Sequence, residues 1–418
     1  MNEGLRLDYT PAGIPVLVES VPSSRSVAFA VYVRAGSRHE TDRPSGTAHL
    51  LEHLLFRGTR DRTSREISEE MENAGGELNG FTAKEYTCFF SSILSETFPV
   101  GRDILSDILT RPSLEEDHFQ LEKGIVSQEV NMLLNEPDAY IHSLFSKAIW
   151  DGHPMAISEA GDFSTIDHLT LGDVQDFYRR HYGSGNMTVV ASGDADPDDV
   201  IEWASELDEL GGGPGGEDQN PPRPRAEVRV FPREGDQAYV GLGFPGFRAR
   251  SPRRQSQRLL CVVLGAGMSS RLFQRVREEE GLVYSIYSLS QHYSDCGALG
   301  VYFSTTPDNT VPVVHSVVQE VSRLKGEGLE KGELERAKRL VKGVLVRRLE
   351  STEHRMFRLG EHFLATGEVT TLDDILDQVN RVTEDEVMGV ADELLVHQRL
   401  CMAVHGPMKE LDPGDLDF

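Results

Sequence analysis

The chain alternates short apolar runs with longer stretches in which apolar residues recur every three or four positions. Near the N-terminus, residues 5–34 contain three short runs typical of strands, the clearest of which is Ser26–Val33. Residues 97–111 and the region 114–150, interrupted near Pro137, have the pattern of helices. The N-terminal half therefore predicts strands, helices, strands, long helices and a last strand, an order typical of an α+β fold.

The same order of elements begins again in the C-terminal half. Between the halves, residues 211–225 are rich in glycine and proline and cannot pack a core, so we predict a linker there. At 418 residues the chain is too long for one ordinary core. We predict an N-terminal domain at 1–210 and a similar C-terminal domain at 226–418, related by an ancient duplication.

The charge balance of the chain is strongly acidic. Its 68 acidic and 42 basic residues give a formal net charge of −26. This argues against nucleic-acid partners, because phosphate binding needs a basic surface. The charge is compatible with basic peptide substrates, and equally with solubility alone.

The cysteines and the N-terminus bear on the cellular location. The four cysteines are widely spaced and form no C-x-x-C pair, so we expect buried, reduced thiols rather than a cysteine zinc site or a redox dithiol. The N-terminus lacks a basic region followed by an apolar run. No apolar stretch approaches the length that spans a bilayer. We therefore expect a cytoplasmic protein without a membrane span.

Candidate chemistry is concentrated in residues 46–59, GTAHLLEHLLFRGT. The segment between its glycines should be helical, which places His49 and His53 on one face with Glu52 beside them. Two imidazoles one turn apart can hold zinc, and an adjacent carboxylate can take a proton from water. The order H-x-x-E-H is the inverted zinc-peptidase motif. An isolated histidine pair is, however, often a surface or core coincidence.

A catalytic zinc usually has three protein ligands, so one ligand remains to be found. The predicted helix 114–134 offers Glu122 and Glu129, seven residues apart and hence on one face. Either glutamate could equally be an ordinary solvated charge. The residues alone do not choose between them.

Four segments resemble the pitrilysin family of inverted-zinc metallopeptidases: residues 35–40, 46–59, 73–82 and 125–129. The resemblance covers nearly the whole chain. It implies two similar domains of the LuxS/MPP-like metallohydrolase fold, each an antiparallel-rich sheet with helices packed on one face. It also implies one zinc ion per chain. In the family the third ligand follows the second histidine by 76 residues.

The resemblance assigns roles to particular residues. Counting 76 residues from His53 leads to Glu129 as the third ligand, beside His49, and it gives Glu122 a supporting role. Glu52 becomes the general base. The edge strand that binds substrate corresponds to residues 77–81, where we expect Asn79 and the backbone of Gly80 to contact the peptide. The family more often has alanine at the position of Gly80.

The C-terminal half contributes an arginine–tyrosine pair. Residues 267–284 are similar to the family element in which an arginine and a tyrosine reach the substrate carbonyl, and the matching positions are Arg277 and Tyr284. A cation and a phenol can stabilise an oxyanion there. Without the resemblance, we would expect Arg277 to pair with neighbouring glutamates and Tyr284 to pack in the sheet.

The resemblance implies a zinc-dependent endopeptidase that cleaves extended, unfolded peptides inside a dimeric clamshell chamber. Because one chain carries both the zinc motif and the arginine–tyrosine pair, we expect a homodimer, with a half-size family partner as the other possibility. Arginine preference stays open, since His142 stands where processing peptidases often have an acid, although Glu136 and Asp138 are near. The alternative functions are a non-proteolytic scaffold or partner subunit, and zinc storage or sensing.

Overall fold

The computed structural model describes residues 4–41, 43–212 and 220–411. Its strands are β1 (Leu5–Tyr9), β2 (Pro15–Ser20), β3 (Ser26–Val33), β4 (Glu77–Thr82), β5 (Thr87–Leu94), β6 (Met187–Gly193), β7 (Val228–Pro232), β8 (Ala238–Pro245), β9 (Ser285–His292), β10 (Gly297–Thr305) and β11 (Cys401–Gly406). Its α-helices are α1 (Thr47–Leu55), α2 (Ser64–Asn73), α3 (Phe98–Thr110), α4 (Glu116–Asn135), α5 (Pro137–Ile149), α6 (Phe163–Ile166), α7 (Leu171–His181), α8 (Pro197–Glu206), α9 (Arg254–Gly265), α10 (Thr310–Glu327), α11 (Glu333–Arg348), α12 (Thr352–Thr366), α13 (Leu372–Arg381) and α14 (Glu384–Leu394).

The strands form two sheets with matching topology. The first has the order β1-β2-β6-β3-β5-β4 and the second the order β7-β11-β8-β10-β9. Each contains one parallel pair, β2 with β6 and β7 with β11, and the other described pairs are antiparallel. Without β1, the two orders are identical when β2, β6, β3, β5 and β4 are matched with β7, β11, β8, β10 and β9. The predicted α+β fold with two similar domains is confirmed.

The chain forms two compact units that each take a segment from the other half of the sequence. The first unit consists of Met1–Met132, Ile157–Asn220 and Arg347–Thr371, and the second of Leu133–Ala156, Pro221–Val346 and Leu372–Phe418. These units differ from the continuous domains 1–210 and 226–418 that the sequence predicted. Much of the predicted linker, residues 213–219, lies outside the described residues.

The segments that come from the other half of the sequence, Arg347–Thr371 in the first unit and Leu133–Ala156 in the second, each place one helix on a face of the sheet. Helix α12 packs on β3 and β6 of the first sheet, and α5 packs on the equivalent strands β8 and β11 of the second. The remaining helices that contact each sheet, among them α3 and α8 in the first unit and α9 in the second, cover the opposite face. Each sheet therefore carries helices on both faces, whereas the sequence predicted helices packed on one face.

Helices α5 and α12 fit their sheets through complementary side-chain sizes. On the first sheet the bulky residue is Tyr32 of β3, and a Cβ added at Gly360 of α12 would overlap its ring. On the second sheet the sizes are exchanged, since Phe145 of α5 fills the space over Gly243 of β8. Both contacts bury a large aromatic ring against a glycine backbone, so each helix packs closely on its sheet.

Local capping explains where the helices near the site begin. A capping box opens α2, because the Thr63 side chain accepts from the backbone N–H of Glu66. Residues 163–181 form two helices, α6 and α7, rather than one continuous helix. Thr170 separates them, since its side chain caps a new helix in a second capping box with Asp173.

The four cysteines are buried and form no disulfide with one another, in agreement with the buried thiols that the sequence predicted. Among the described residues, no helix combines the length and the apolar character that crossing a bilayer requires.

Candidate metal centre

Helix α1 presents two histidines and a glutamate on one side. Its leucines, Leu50, Leu51, Leu54 and Leu55, are all at most 1% exposed and fix the helix against the core. The opposite side therefore faces outward with a defined orientation. The rings of His49 and His53 lie there with their centroids 4.8 Å apart.

Helix α4 brings a carboxylate to this pair. The Oε2 atom of Glu129 lies 3.5 Å from Nε2 of His49 and 3.5 Å from Nε2 of His53. The three side chains form a group whose potential ligand atoms all lie within 4.8 Å of one another. Ligands about 2.1 Å from a tetrahedral zinc are about 3.4 Å apart, so these distances fit such an ion.

The second glutamate of α4 orients the second histidine. Glu122, which is 1% exposed, hydrogen-bonds through Oε2 to Nδ1 of His53 at 2.9 Å and also pairs with Nε of Arg57. Burial opposes ionisation of Glu122, but the contacts with His53 and Arg57 lower its pKa. Burial of His53 favours its neutral form, but the hydrogen bond with Glu122 and the charges of the neighbouring glutamates together outweigh this effect, and the pKa of His53 is raised. With Nδ1 bonded to Glu122, Nε2 of His53 is left to face Glu129 and a metal ion.

Glu52 lies beside the histidines in a protected environment. It is 7% exposed, and the Thr82 hydroxyl of β4 donates to its Oε2 at 2.8 Å. Burial raises the pKa of Glu52 to about 7, even though Thr82 and His53 favour the ionised form. Burial, with a contribution from His53, lowers the pKa of His49 to about 4. The arrangement suits a carboxylate that exchanges protons near neutral pH and a histidine that stays neutral.

These residues line a cleft of about 940 Å³ in the first unit. One wall is β4, the terminal strand of its sheet, whose outer edge has no strand partner among the described residues. Asn79 and Gly80 both lie on this wall. The Asn79 side chain accepts from the backbone N–H of Gly80 at 2.8 Å. A Cβ at Gly80 would lie 3.1 Å from the Phe56 ring, so the absence of a side chain keeps the cleft open there.

One residue near the centre was not assigned a role from the sequence. Glu40 is 2% exposed, and its carboxylate accepts from the backbone N–H groups of Gly46 and Ala48, at 3.0 and 2.7 Å. Burial raises the pKa of Glu40 to about 8, whereas these bonds and the charge of Lys84 favour its ionised form. Glu40 ends the family-like segment 35–40, but it lies seven residues before the start of α1, which is too remote for a local capping pattern.

Comparison with known proteins identifies the family. The family model described as insulinase (peptidase family M16) matches residues 15–162, and the peptidase M16 inactive domain model matches residues 168–341. An uncharacterized zinc protease of Streptomyces coelicolor is 36% identical over 415 residues, which cover 97% of this chain and 90% of the relative. The chain belongs to peptidase family M16. This confirms the resemblance to the pitrilysin family.

Two further comparisons extend over the whole M16 chain. An uncharacterized zinc protease of Bacillus subtilis is 34% identical over 385 residues, 91% of this chain and 93% of the relative. The crystal structure of a peptidase M16 inactive domain from Pseudomonas fluorescens has a TM-score of 0.89 at 20% identity, covering 98% of this chain and 99% of that chain. At that identity the structure supports the M16 fold alone.

The arginine–tyrosine pair lies in the second unit of the M16 chain. Arg277 belongs to a π-helical segment, Phe273–Glu279, and its guanidinium lies 4.6 Å from the ring centroid of Phe273 and 5.4 Å from that of Tyr284. Arg277 also lies near its neighbour Glu278, with Nε and Oε1 3.8 Å apart. Tyr284 is 84% exposed, so it does not pack in the sheet. Neither residue lines the cleft of the first unit, and their catalytic roles stay predictions.

His142, which stands where processing peptidases often have an acid, makes its contacts within the second unit. His142 of α5 hydrogen-bonds through Nε2 to the hydroxyl of Tyr287 at 2.9 Å, and its ring lies 4.1 Å from that of Tyr302. Burial lowers the pKa of His142, with Asp138 opposing the shift. A neutral imidazole gives no charge complement to arginine at neutral pH.

The duplication allows the metal centre to be compared with its counterpart position in the second unit. As Glu52 of α1 accepts from Thr82 of β4, so Gln257 of α9 donates to Ser290 of β9 at 2.9 Å. When the two units are aligned on this shared hydrogen bond, an arginine stands at each histidine position and the amide of Gln257 stands at the position of Glu52. The sequence that replaces His49-Leu-Leu-Glu-His53 is Arg254-Gln-Ser-Gln-Arg258.

A second shared contact aligns the helices that carry the glutamates. Nζ of Lys123 in α4 donates to the backbone carbonyl of Asp167 at 2.7 Å, and Nζ of Lys338 in α11 donates to that of Asn380 at 3.0 Å. Matching Lys123 with Lys338 places Ala337 and Val344 at the positions of Glu122 and Glu129. The second unit thus replaces all five polar residues of the centre while retaining the contacts that hold the helices.

Proposed function

We propose that this M16 chain is a zinc-dependent endopeptidase that binds one zinc ion per chain and cleaves extended, unfolded peptides. The observation that carries the proposal is the convergence of His49, His53 and Glu129 beside a buried glutamate, Glu52, in one cleft. The names of the M16 relatives, which call them zinc proteases, support the choice of metal. Zinc storage would not need a buried base next to the ligands.

The chain's own residues would divide the reaction between them. When bound, zinc lowers the pKa of a water molecule and polarises the substrate carbonyl. Glu52 accepts the proton of the attacking water and passes it to the leaving amine, a role that suits a pKa of about 7. Thr82 holds the Glu52 carboxylate by its hydrogen bond. Glu122 keeps His53 in the tautomer that offers Nε2.

The substrate would add a strand to β4. An edge strand offers backbone N–H and C=O groups to an extended peptide. In this mode of binding, main-chain hydrogen bonds provide most of the affinity. The open edge of β4 runs along the cleft that contains Glu52. Asn79 and the backbone of Gly80 contact the peptide in this arrangement. A folded protein cannot present such a strand, so the substrates are unfolded segments.

The proposal is tested by peptide cleavage under metal control. The purified chain is incubated with a library of unstructured peptides, and the products are identified by mass spectrometry. Cleavage should be lost on chelation and regained with one equivalent of zinc, and Glu129→Gln should abolish both zinc binding and cleavage. Glu70→Gln, which removes an acid on α2 paired with Arg62, serves as the control. Retained cleavage in Glu129→Gln would rule out this metal site.

We further propose that the chain forms a homodimer in the cytoplasm and that each active site is completed by the partner copy. Arg277 and Tyr284 would reach the metal centre of the other subunit and stabilise the oxyanion of the reaction. Two observations support this proposal. One chain carries both the zinc motif and the arginine–tyrosine pair, and Tyr284 is exposed and accessible to another molecule.

Mixing two inactive variants tests this arrangement. Glu52→Gln and Tyr284→Phe are each expected to be nearly inactive alone. If sites form between subunits, half of the randomly mixed dimers contain one wild-type site, so the mixture regains about a quarter of wild-type activity. If each site forms within one chain, mixing restores nothing. Wild-type activity in a chain that remains monomeric would also refute the proposal.

A non-proteolytic scaffold or partner subunit is the second candidate function. It is favoured by the second unit, which has lost all five polar residues of the centre. Under this function, zinc would be bound without peptide cleavage, and Glu52→Gln would change no measurable property apart from charge. The same assays of peptide cleavage and metal content test both expectations, zinc binding without cleavage and an unchanged Glu52→Gln variant.

A further inference from the structure

The N-terminus of the metal helix is held by a residue outside the helix. Helix α1 begins at Thr47, and its N-cap residue, Gly46, has a φ of 99° and no side chain to cap the helix. The free backbone N–H groups of the first turn need acceptors. Glu40 supplies them through both carboxylate oxygens, Oε2 to Gly46 and Oε1 to Ala48. Ala48 directly precedes the first metal-ligand candidate, His49.

This cap is more costly than an ordinary one. Several helices in the chain are capped by a threonine, serine or aspartate at the N-cap itself, including α2, α7, α12 and α14. Glu40 is instead a buried carboxylate, and burying an ionised group is expensive. The Nζ hydrogen bond of Lys84 goes to the backbone carbonyl of Ile157 rather than to Glu40. A cap that served stability alone could use a short hydroxyl side chain, as those other helices do.

The second unit provides an internal comparison. Helix α9 occupies the position of α1, but its N-cap residue, Arg253, makes no side-chain cap. The segment before it, residues 246–253, contains no acidic residue. The unit that lacks the metal ligands therefore also lacks a carboxylate before this helix. It does retain the helix, the strand β9 and the hydrogen bond from Gln257 to Ser290 that joins them.

We infer that Glu40 is a positioning residue of the metal centre, which fixes the start of the helix that carries both histidines through its two hydrogen bonds. The inference rests on the proposed zinc site. A fixed helix start sets the direction of His49, and residues that orient a metal ligand tune metal binding. Supporting residues of this kind typically change metal affinity by about 10- to 100-fold.

The test compares zinc affinity with stability. Glu40→Gln keeps the shape of the side chain but replaces one of its two acceptor oxygens with an amide donor, so it can hold only one of the two backbone N–H groups. We expect its zinc dissociation constant, measured by chelator competition, to rise about tenfold or more, and kcat to fall while KM stays within about twofold. The matched control is Thr383→Ala, which removes the N-cap of α14 in the second unit. It should lower the melting temperature to a similar extent and leave zinc affinity unchanged.

The outcomes separate the inference from the proposed function. Wild-type zinc affinity in a folded Glu40→Gln variant overturns the inference and leaves the zinc site intact. A wild-type chain that binds no zinc overturns the proposed function instead. If Glu40→Gln does not fold, hydrogen exchange of the wild-type chain decides. Zinc should slow exchange at the Gly46 and Ala48 amides together with those of α1, and an unchanged rate at these two amides contradicts the inference.

Discussion

Replacing Glu122 with glutamine measures how much the buried partner of His53 contributes to metal binding. The carboxylate accepts from Nδ1 of His53 at 2.9 Å and is 1% exposed. An amide oxygen can still accept this bond, but without charge. Hydrogen bonds to charged groups contribute about 1.5–3 kcal/mol and neutral ones about 0.5–1.5 kcal/mol, so we expect a loss of roughly 1 kcal/mol. That loss corresponds to a zinc dissociation constant raised about five- to tenfold.

The pH dependence of this loss distinguishes orientation from a general disturbance. Glu122 raises the pKa of His53, so it also stabilises the protonated imidazole that competes with zinc. Removing the carboxylate weakens zinc binding and proton binding together. The loss of affinity in Glu122→Gln should therefore be largest at pH 8 and smaller at pH 6, where His53 of the wild-type chain is protonated without zinc.

The assay is chelator competition at both pH values, with Glu70→Gln as the control. Glu70 is likewise paired with an arginine, Arg62, but does not line the cleft. The control should keep wild-type affinity at both pH values. An affinity within twofold of wild type for Glu122→Gln at pH 8, or a loss that is equal at both pH values, would refute the assigned role of Glu122.

Three further predictions concern the same cleft. The zinc affinity of the wild-type chain should fall about tenfold per pH unit as the pH drops below the raised pKa of His53, because one proton then competes with each zinc ion, and isothermal titration at several pH values measures this slope. Gly80→Val should raise KM for peptides and leave zinc content unchanged, because its side chain would press on Phe56 at the substrate strand, and unaltered kinetics would contradict the placement of the substrate. Thr82→Val removes a hydrogen bond that lowers the pKa of Glu52, so the acidic limb of the kcat profile should move to higher pH, whereas a shift to lower pH would oppose the role of Glu52 as base.

The parts of the site that the sequence predicted depend on local helical geometry or on the family resemblance. His49, Glu52 and His53 share a side of α1 because residues one turn apart must do so. The choice between Glu122 and Glu129 was open from the residues alone, since both lie on one face of α4. The spacing known from the family favoured Glu129, and the structure brings that residue to the histidines.

Other features depend on contacts between distant parts of the chain. The exchange of α5 and α12 leaves no local signal, because an apolar helix face fits either sheet. The cap from Glu40 crosses a loop and follows no local capping pattern. The correspondence between Glu52 and Gln257 depends on their hydrogen bonds to Thr82 of β4 and Ser290 of β9, which no local pattern predicts. In each case the tertiary contact, rather than the local pattern, determines the role of the residue.

The central claim is that Glu52 acts as the base at a zinc ion held by the neighbouring side chains. Glu52→Gln preserves the shape of the side chain and its contact with Thr82, so metal analysis of the purified variant should still find one zinc per chain. Cleavage of an unstructured peptide should fall by about 10²- to 10⁴-fold, the usual contribution of a general base. A variant that keeps its zinc and cleaves at close to the wild-type rate would contradict the account.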